Sequence, residues 1–118
     1  MLPEERVRQS LLQHLVQQLG YPKSYISVEK ALDGPNRRYD VLVYGKCHGE
    51  LKPLLLIECK AEHVTEEAVQ QALGYNHEID APFVAAVGYD RALMITGNGE
   101  LVGGLLAYQE LMEKVRWN

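Results

Sequence analysis

Apolar residues along the chain recur with two different periods, and the switches between them divide it into elements. Val7, Leu11, Leu12, Leu15 and Leu19 form one stripe at helical spacing. That stripe predicts a helix from Pro3 to Leu19. Pro3 suits a first helical turn, Glu4 and Glu5 complement the positive end of the helix dipole, and Gly20 with Pro22 behind it is a stop. Glu4 and Arg8 fall on the stripe side one turn apart, while Arg6, Gln9, Gln13 and Gln17 point away. Ser24–Leu32 has an extended pattern and predicts a strand, followed by turn chemistry at Asp33-Gly34-Pro35-Asn36. Arg37–Tyr44 predicts a second strand, polar at its start and apolar after. Gly45–Pro53 reads as a polar loop holding Cys47 and His48. Leu54–Lys60 predicts a third strand, buried along its apolar run.

The second half alternates helix and strand. Thr65 is placed to cap a helix that begins with Glu66 and Glu67 and runs to about Glu78. Phe83–Gly88 predicts a short buried strand, and a strand, a helix and another strand in that order predict a right-handed parallel crossover. Arg91–Thr96 predicts a further strand, hairpinned through Tyr89-Asp90, and Asn98-Gly99 a turn. Residues 107–116 predict a short closing helix with Leu111, Met112 and Val115. The expected architecture is one α/β domain over residues 1–118. It has a central mixed β-sheet flanked by helices in α-β-β-β-α-β order, then a C-terminal hairpin and helix.

Composition narrows the function classes. The chain of 118 residues is long enough for one core, and it has no apolar run near the roughly 18 residues a membrane span needs. Its first residues lack the basic and apolar stretches of a signal peptide, so a cytoplasmic protein is expected. Two cysteines give no disulfide framework. The net charge of −4 does not advertise nucleic-acid binding. Residues 1–60, however, hold 9 Lys/Arg against 7 Asp/Glu, and residues 61–118 hold 3 against 9. A polyanion is therefore expected on the first half, unless the fold mixes the two.

The candidate chemistry gathers at the third strand. Glu58 and Lys60 are two apart and emerge on one face, while Cys59 points to the other. If the second and third strands pair as an antiparallel hairpin, Asp40 lies close to Glu58. Hydrolysis of a phosphodiester needs charge neutralisation, an activated water and in-line attack. Two carboxylates can hold Mg²⁺, and a nearby lysine can orient the water. The plain alternative is an exposed Glu58–Lys60 ion pair, worth about 0–1 kcal/mol, with Asp40 a turn acid and Glu4 paired to Arg8. Arg37 and Arg38 are candidate phosphate contacts or simply a charged strand start. Cys47, His48, Cys59 and His63 match no usual zinc spacing.

The order Asp40, then Glu58-Cys59-Lys60-Ala61 after 17 intervening residues, then Gln71 and Tyr75 four apart on one helix face, resembles the PD-(D/E)xK nuclease superfamily. The particular likeness is to the nuclease domain at the N-terminus of the motor subunit of type I restriction enzymes, and to its small stand-alone relatives. Pro3-Glu4-Glu5-Arg6-Val7-Arg8, Gly20-Tyr21-Pro22 and Arg38-Tyr39-Asp40-Val41 take part in it, and it covers about residues 3–90. The resemblance implies a restriction-endonuclease-like core. It implies Asp40 and Glu58, with the Cys59 carbonyl, as ligands of Mg²⁺ or Mn²⁺, and Lys60 as the residue that positions water. It implies Glu4 near the metal, with Glu5 as its competitor, and Gln71 and Tyr75 as contacts to DNA or braces of the site. The expected activity is metal-dependent DNA cleavage of restriction or repair type. The alternatives are a DNA-binding or assembly module that keeps the fold without cleaving, and a hydrolase of smaller phosphate esters. The sequence carries no motor after Asn118, so ATP-driven cleavage is not expected of it alone. A second copy, or a motor or specificity subunit on another chain, is the expected partner.

Overall fold

The computed structural model describes residues 3–28 and 39–117. The expected first helix, α1, spans Pro3–Gln17 and buries Leu11 and Leu15. Val7, Leu12 and Leu19 are partly buried beside them, as the stripe requires. Beyond α1 the chain turns at Gly20, and the Tyr21 N–H returns to the Leu15 carbonyl at 2.9 Å. A single 3₁₀ turn at Lys23–Tyr25 leads into β1, Ile26–Val28, so the predicted strand is shorter at its start. Its continuation to Leu32, the turn at 33–36 and the strand start at Arg37 and Arg38 lie outside the described residues.

The strands β2 (Val41–Cys47) and β3 (Glu50–Cys59) form one long antiparallel hairpin. This corrects the expected loop at Gly45–Pro53, most of which is strand. The turn is only His48-Gly49, with φ of 50° and 83°. Two central residues at positive φ are the mirror-image turn that matches strand twist, and glycine takes the second position without a Cβ clash. The loop expectation arose because Lys46, Glu50, Lys52 and Pro53 break the apolar pattern. Pro53 is tolerated because β4 pairs with β3 only from Leu55 onward, and a bulge between Val43 and Tyr44 absorbs the misfit.

After β3 the chain enters α2, Glu66–Ile79, where the Thr65 hydroxyl accepts from the Ala68 N–H at 3.2 Å. It returns as β4, Phe83–Val87, parallel to β3, as the crossover predicted. Next come β5 (Ala92–Thr96), β6 (Leu101–Gly103) and α3 (Tyr108–Lys114). The six strands lie in sheet order β1-β2-β3-β4-β5-β6, antiparallel except for β3–β4. Val41, Val43, Leu55, Ile57, Cys59 and Val87 pack with Leu11 and Leu15 of α1 and Leu111 of α3. Leu42, Leu56, Val84 and Ala86 pack with Val69 and Ala72 of α2 on the opposite face. Cover on both faces explains why residues 54–59 are all buried. This is a mixed α/β sheet flanked by helices, consistent with a restriction-endonuclease-like fold.

Two buried polar side chains fix the joints. The Asn76 amide donates to the Ala81 carbonyl at 2.9 Å and accepts from the Ala81 N–H at 2.8 Å, which closes the α2–β4 connection. The Tyr21 hydroxyl donates to the Leu106 carbonyl at 2.7 Å and ties the end of α1 to the approach of α3. Asn76→Ala leaves both Ala81 groups unpaired and should destabilise by about 1–3 kcal/mol in urea unfolding. An unchanged midpoint would show that this joint carries no load. Burial raises the Tyr21 phenol above its ordinary value. The folded chain therefore holds its proton longer than the unfolded chain, and this contribution is lost as pH climbs above the unfolded value of about 10. Tyr21→Phe should cost roughly 0.5–1.5 kcal/mol at neutral pH, and the gap to the wild type should narrow in alkali.

Candidate active site

Asp40 occupies a bend just before β2, and the register Val41↔Ile57 sets it opposite Glu58. Its N–H donates to the Ile57 carbonyl at 3.2 Å, and its Oδ2 accepts from the Cys59 N–H at 2.7 Å. The carboxylate thus continues the ladder where the β2 backbone has turned away. A carboxylate accepting a backbone N–H makes a short, strong bond that fixes its orientation. Asp40 is 1% exposed and Glu58 2% exposed. Two acids this buried on neighbouring strands are expensive by ordinary packing rules. Such local violations concentrate at functional sites.

Lys60 follows directly. Its N–H donates to the Val87 carbonyl at 2.8 Å, so the chain still runs beside β4 as it leaves β3. Its Nζ donates to Gln71 Oε1 on α2 at 3.2 Å. Glu58 and Lys60 share the α2 side of the sheet with Leu56, as the alternation predicted, and Cys59 packs on the α1 side. Strand geometry adds one placement. The Cys59 N–H points toward β2, so its carbonyl points to the same side, toward Asp40. Tyr75, one turn beyond Gln71, is 42% exposed.

The first helix reaches this point from the other face. Burial pushes the Cys59 thiol up to about 12, and the nearby charges of Asp40 and Glu58 push in the same direction. Arg8 opposes them and Glu4 adds to them. The Glu4–Arg8 edge of α1 is therefore within electrostatic reach of Cys59. Glu4 is exposed and Glu5 half-buried, yet of the two acids Glu4 is the one whose charge acts on the thiol.

Donor chemistry limits what this end of the sheet can hold. Among the described residues, no group of three His, Cys, Asp or Glu side chains is arranged to hold a metal ion. Cys59 lies in an apolar cluster and Cys47 Sγ lies 3.6 Å from His48 Nδ1, and among the described residues the four residues of the zinc reading are not assembled. Two carboxylates with a neighbouring backbone carbonyl make an oxygen-only set. That set suits a hard ion which keeps several of its waters. Arg37 and Arg38 lie outside the described residues.

A neighbouring group was not legible beforehand. His63, in the loop after β3, has Nδ1 at 3.0 Å from Asp90 Oδ2, and the Tyr89 hydroxyl lies 3.0 Å from His63 Nε2. Asp90 Oδ1 also accepts from the Val64 N–H at 3.3 Å, and its carboxyl is held below its usual value, chiefly by the hydrogen bond to His63. The contact spans 26 residues between two loops, and no periodic signal marks it. Gly88 permits it, because a Cβ there would stand 2.5 Å from the Glu62 carbonyl oxygen. A cavity of about 950 Å³ lies at the other end of the sheet, against Phe83, Thr96 and Trp117, away from these acids.

A family model described as type I restriction enzyme R protein N terminus (HSDR_N) matches residues 3–98. No curated protein and no solved structure matches the chain. No described helix is long and apolar enough to cross a membrane.

Both cysteines are buried, and Cys59 stays a thiol at neutral pH because burial and two acids disfavour its anion. A thiol-specific reagent at pH 8 should therefore leave the native protein unmodified, and denaturant should release two reactive thiols per chain. Rapid labelling of Cys59 in the native state would mean that the sheet end is open.

Proposed function

The chain belongs to the family of type I restriction enzyme R protein N termini, and from that premise we propose that it is a metal-dependent DNA endonuclease domain of the PD-(D/E)xK kind. The observation that carries the reading is the registered pair of buried acids, Asp40 opposite Glu58, with Asp40 fixed by the Cys59 N–H at 2.7 Å. Asp40, Glu58 and the Cys59 carbonyl would hold Mg²⁺ or Mn²⁺. The cation supplies Lewis-acid stabilisation of the charge that develops on the phosphodiester. Lys60, as the ammonium, orients the attacking water and stabilises the hydroxide formed as that water gives its proton to solvent, and the leaving sugar oxygen takes a proton from solvent in turn. Gln71 is a positioning residue that holds the Lys60 ammonium through the 3.2 Å hydrogen bond. Tyr75 lies one turn along the same exposed edge of α2 and meets the DNA backbone there. Glu4 adds negative charge near the metal from the start of α1.

The water oxygen forms a bond to phosphorus as the bond to the leaving sugar oxygen breaks. The products are a phosphate monoester and a hydroxyl, with no covalent enzyme intermediate. DNA is the substrate proposed, with Arg37 and Arg38 as candidate phosphate contacts. The family description supports assembly with further subunits of a restriction system.

Plasmid nicking in Mg²⁺ or Mn²⁺ tests the chemistry. Asp40→Ala and Lys60→Ala should each lower the rate by at least about a hundredfold. Gln71→Ala should lower it less, because the lysine remains. Equal nicking by the Lys60→Ala protein and the wild type would sink the assignment.

A further inference from the structure

Beside the acids, on the opposite face of the sheet, lies a second concave feature. A cleft of about 510 Å³ opens between α1 and the β4–β5 turn. Its floor is apolar, formed by Val7, Leu11, Val87 and Leu105, and Arg6 and Tyr89 stand in its lining. Among the described residues no carboxylate lines it. With Arg6 and His14 in its lining, the cleft is suited to a neutral or anionic occupant. Its size falls in the range of small-ligand sites, about 300–1,000 Å³.

Tyr89 is the informative residue. It is 65% exposed, yet it is not a loose surface side chain. His63 Nδ1–H donates to Asp90, which leaves Nε2 to accept from the Tyr89 hydroxyl; the chain of bonds is self-consistent for a neutral imidazole. The two rings lie 5.1 Å apart. Stapling the two loops together does not need the tyrosine. Asp90 already holds the Val64 N–H, and the Arg91 guanidinium donates to the Val64 carbonyl at 2.9 Å. The tyrosine is thus an exposed aromatic ring pre-positioned at the edge of an apolar cleft.

The cleft backs onto the strand that carries the motif, across the sheet from Glu58 and Lys60. Val87 in its wall accepts from the Lys60 N–H and pairs with Cys59, so one strand spacing, about 4.8 Å, separates cleft wall and motif backbone. We propose that this cleft receives an unpaired nucleobase of the bound DNA strand, stacked on Tyr89, with Arg6 meeting the adjoining phosphate. The inference rests on the nuclease reading for its ligand class and extends it: the preferred substrate has a single-stranded or flipped nucleotide beside the cleavage point. Stacking on an aromatic ring is sequence-tolerant, so no base preference is expected.

The test uses the full chain in a Lys60→Ala background with Mg²⁺. It measures binding of a single-stranded oligonucleotide carrying one 2-aminopurine, and of the corresponding blunt duplex, by anisotropy and by base fluorescence. Tyr89→Ala should weaken single-strand binding about tenfold or more and restore the fluorescence of the unstacked base. Tyr89→Phe, which keeps the ring and loses the hydroxyl, should stay within about threefold. Ser10→Phe, at an exposed α1 position in the cleft lining, should block the cleft and match Tyr89→Ala, whereas Ser10→Ala should not. Duplex binding should change little in all four.

Single-strand binding unaffected by Tyr89→Ala and Ser10→Phe overturns the proposal, as does equal loss for both substrates or no binding at all. A change confined to oligomeric state in Ser10→Phe also overturns it, since a second copy would then fill the cleft. Nicking by the wild type, measured separately, keeps the two readings apart. Cleavage with no Tyr89 effect removes the base cleft alone. A Tyr89 effect without cleavage by the wild type removes the nuclease reading alone.

Discussion

The hydrogen bond from the Cys59 N–H to Asp40 Oδ2, at 2.7 Å, is the constraint on which the rest of this end of the molecule depends. It replaces a backbone acceptor at the point where β2 has ended and β3 runs on. It therefore converts the end of a ladder into a carboxylate position. Because side chains alternate along a strand, fixing Asp40 against Cys59 leaves Glu58 and Lys60 together on the α2 side. A one-residue slip would turn both toward α1 and put Cys59 in their place. The register is guarded by Leu42 and Leu56 on one face and Val41, Val43 and Ile57 on the other, all fully buried or nearly so. Fully burying each such side chain is worth roughly 1.5–3 kcal/mol, so the core pins the acids.

The two faces divide the work between the helices. α2 brings Gln71 to Lys60, and α1 brings the Glu4–Arg8 edge toward Cys59. Among the described strands the sheet is mixed only between β3 and β4. A parallel pair needs a crossover, and that crossover is α2. The parallel pairing thus accounts for Gln71 standing above the strand that carries the lysine. It also sets the β4–β5 turn, with Tyr89 and Asp90, beside the loop that carries His63.

Much of the element order was readable because its signals are local. The α1 stripe, the Thr65 cap and the run of apolar residues in β3 each follow from a few neighbouring side chains. The closeness of Asp40 and Glu58 was also readable, because antiparallel pairing fixes it. The long hairpin was not. Polar residues and Pro53 mask β2 and β3 beyond Tyr44, and His48-Gly49 is not one of the common Asn-Gly or Asp-Gly hairpin turns. The Lys60–Gln71 bond needed the angle at which α2 crosses the sheet, which periodicity does not carry. Arg6 is exposed, as the helical wheel predicts, and it also stands in the lining of a cleft, which the wheel does not show. The charge asymmetry between the two halves of the sequence also loses meaning, because β3 and β4 from different halves share the centre of one sheet.

Calorimetric titration of Mg²⁺ and Mn²⁺ into the wild type and into Asp40→Ala tests the central claim most directly, because it reads the acid pair without requiring the correct DNA. Saturable binding at one class of site is expected in the wild type, and its loss in Asp40→Ala, with the fold intact by circular dichroism. Equal binding by the two proteins, or no binding by the wild type with either ion, would contradict it.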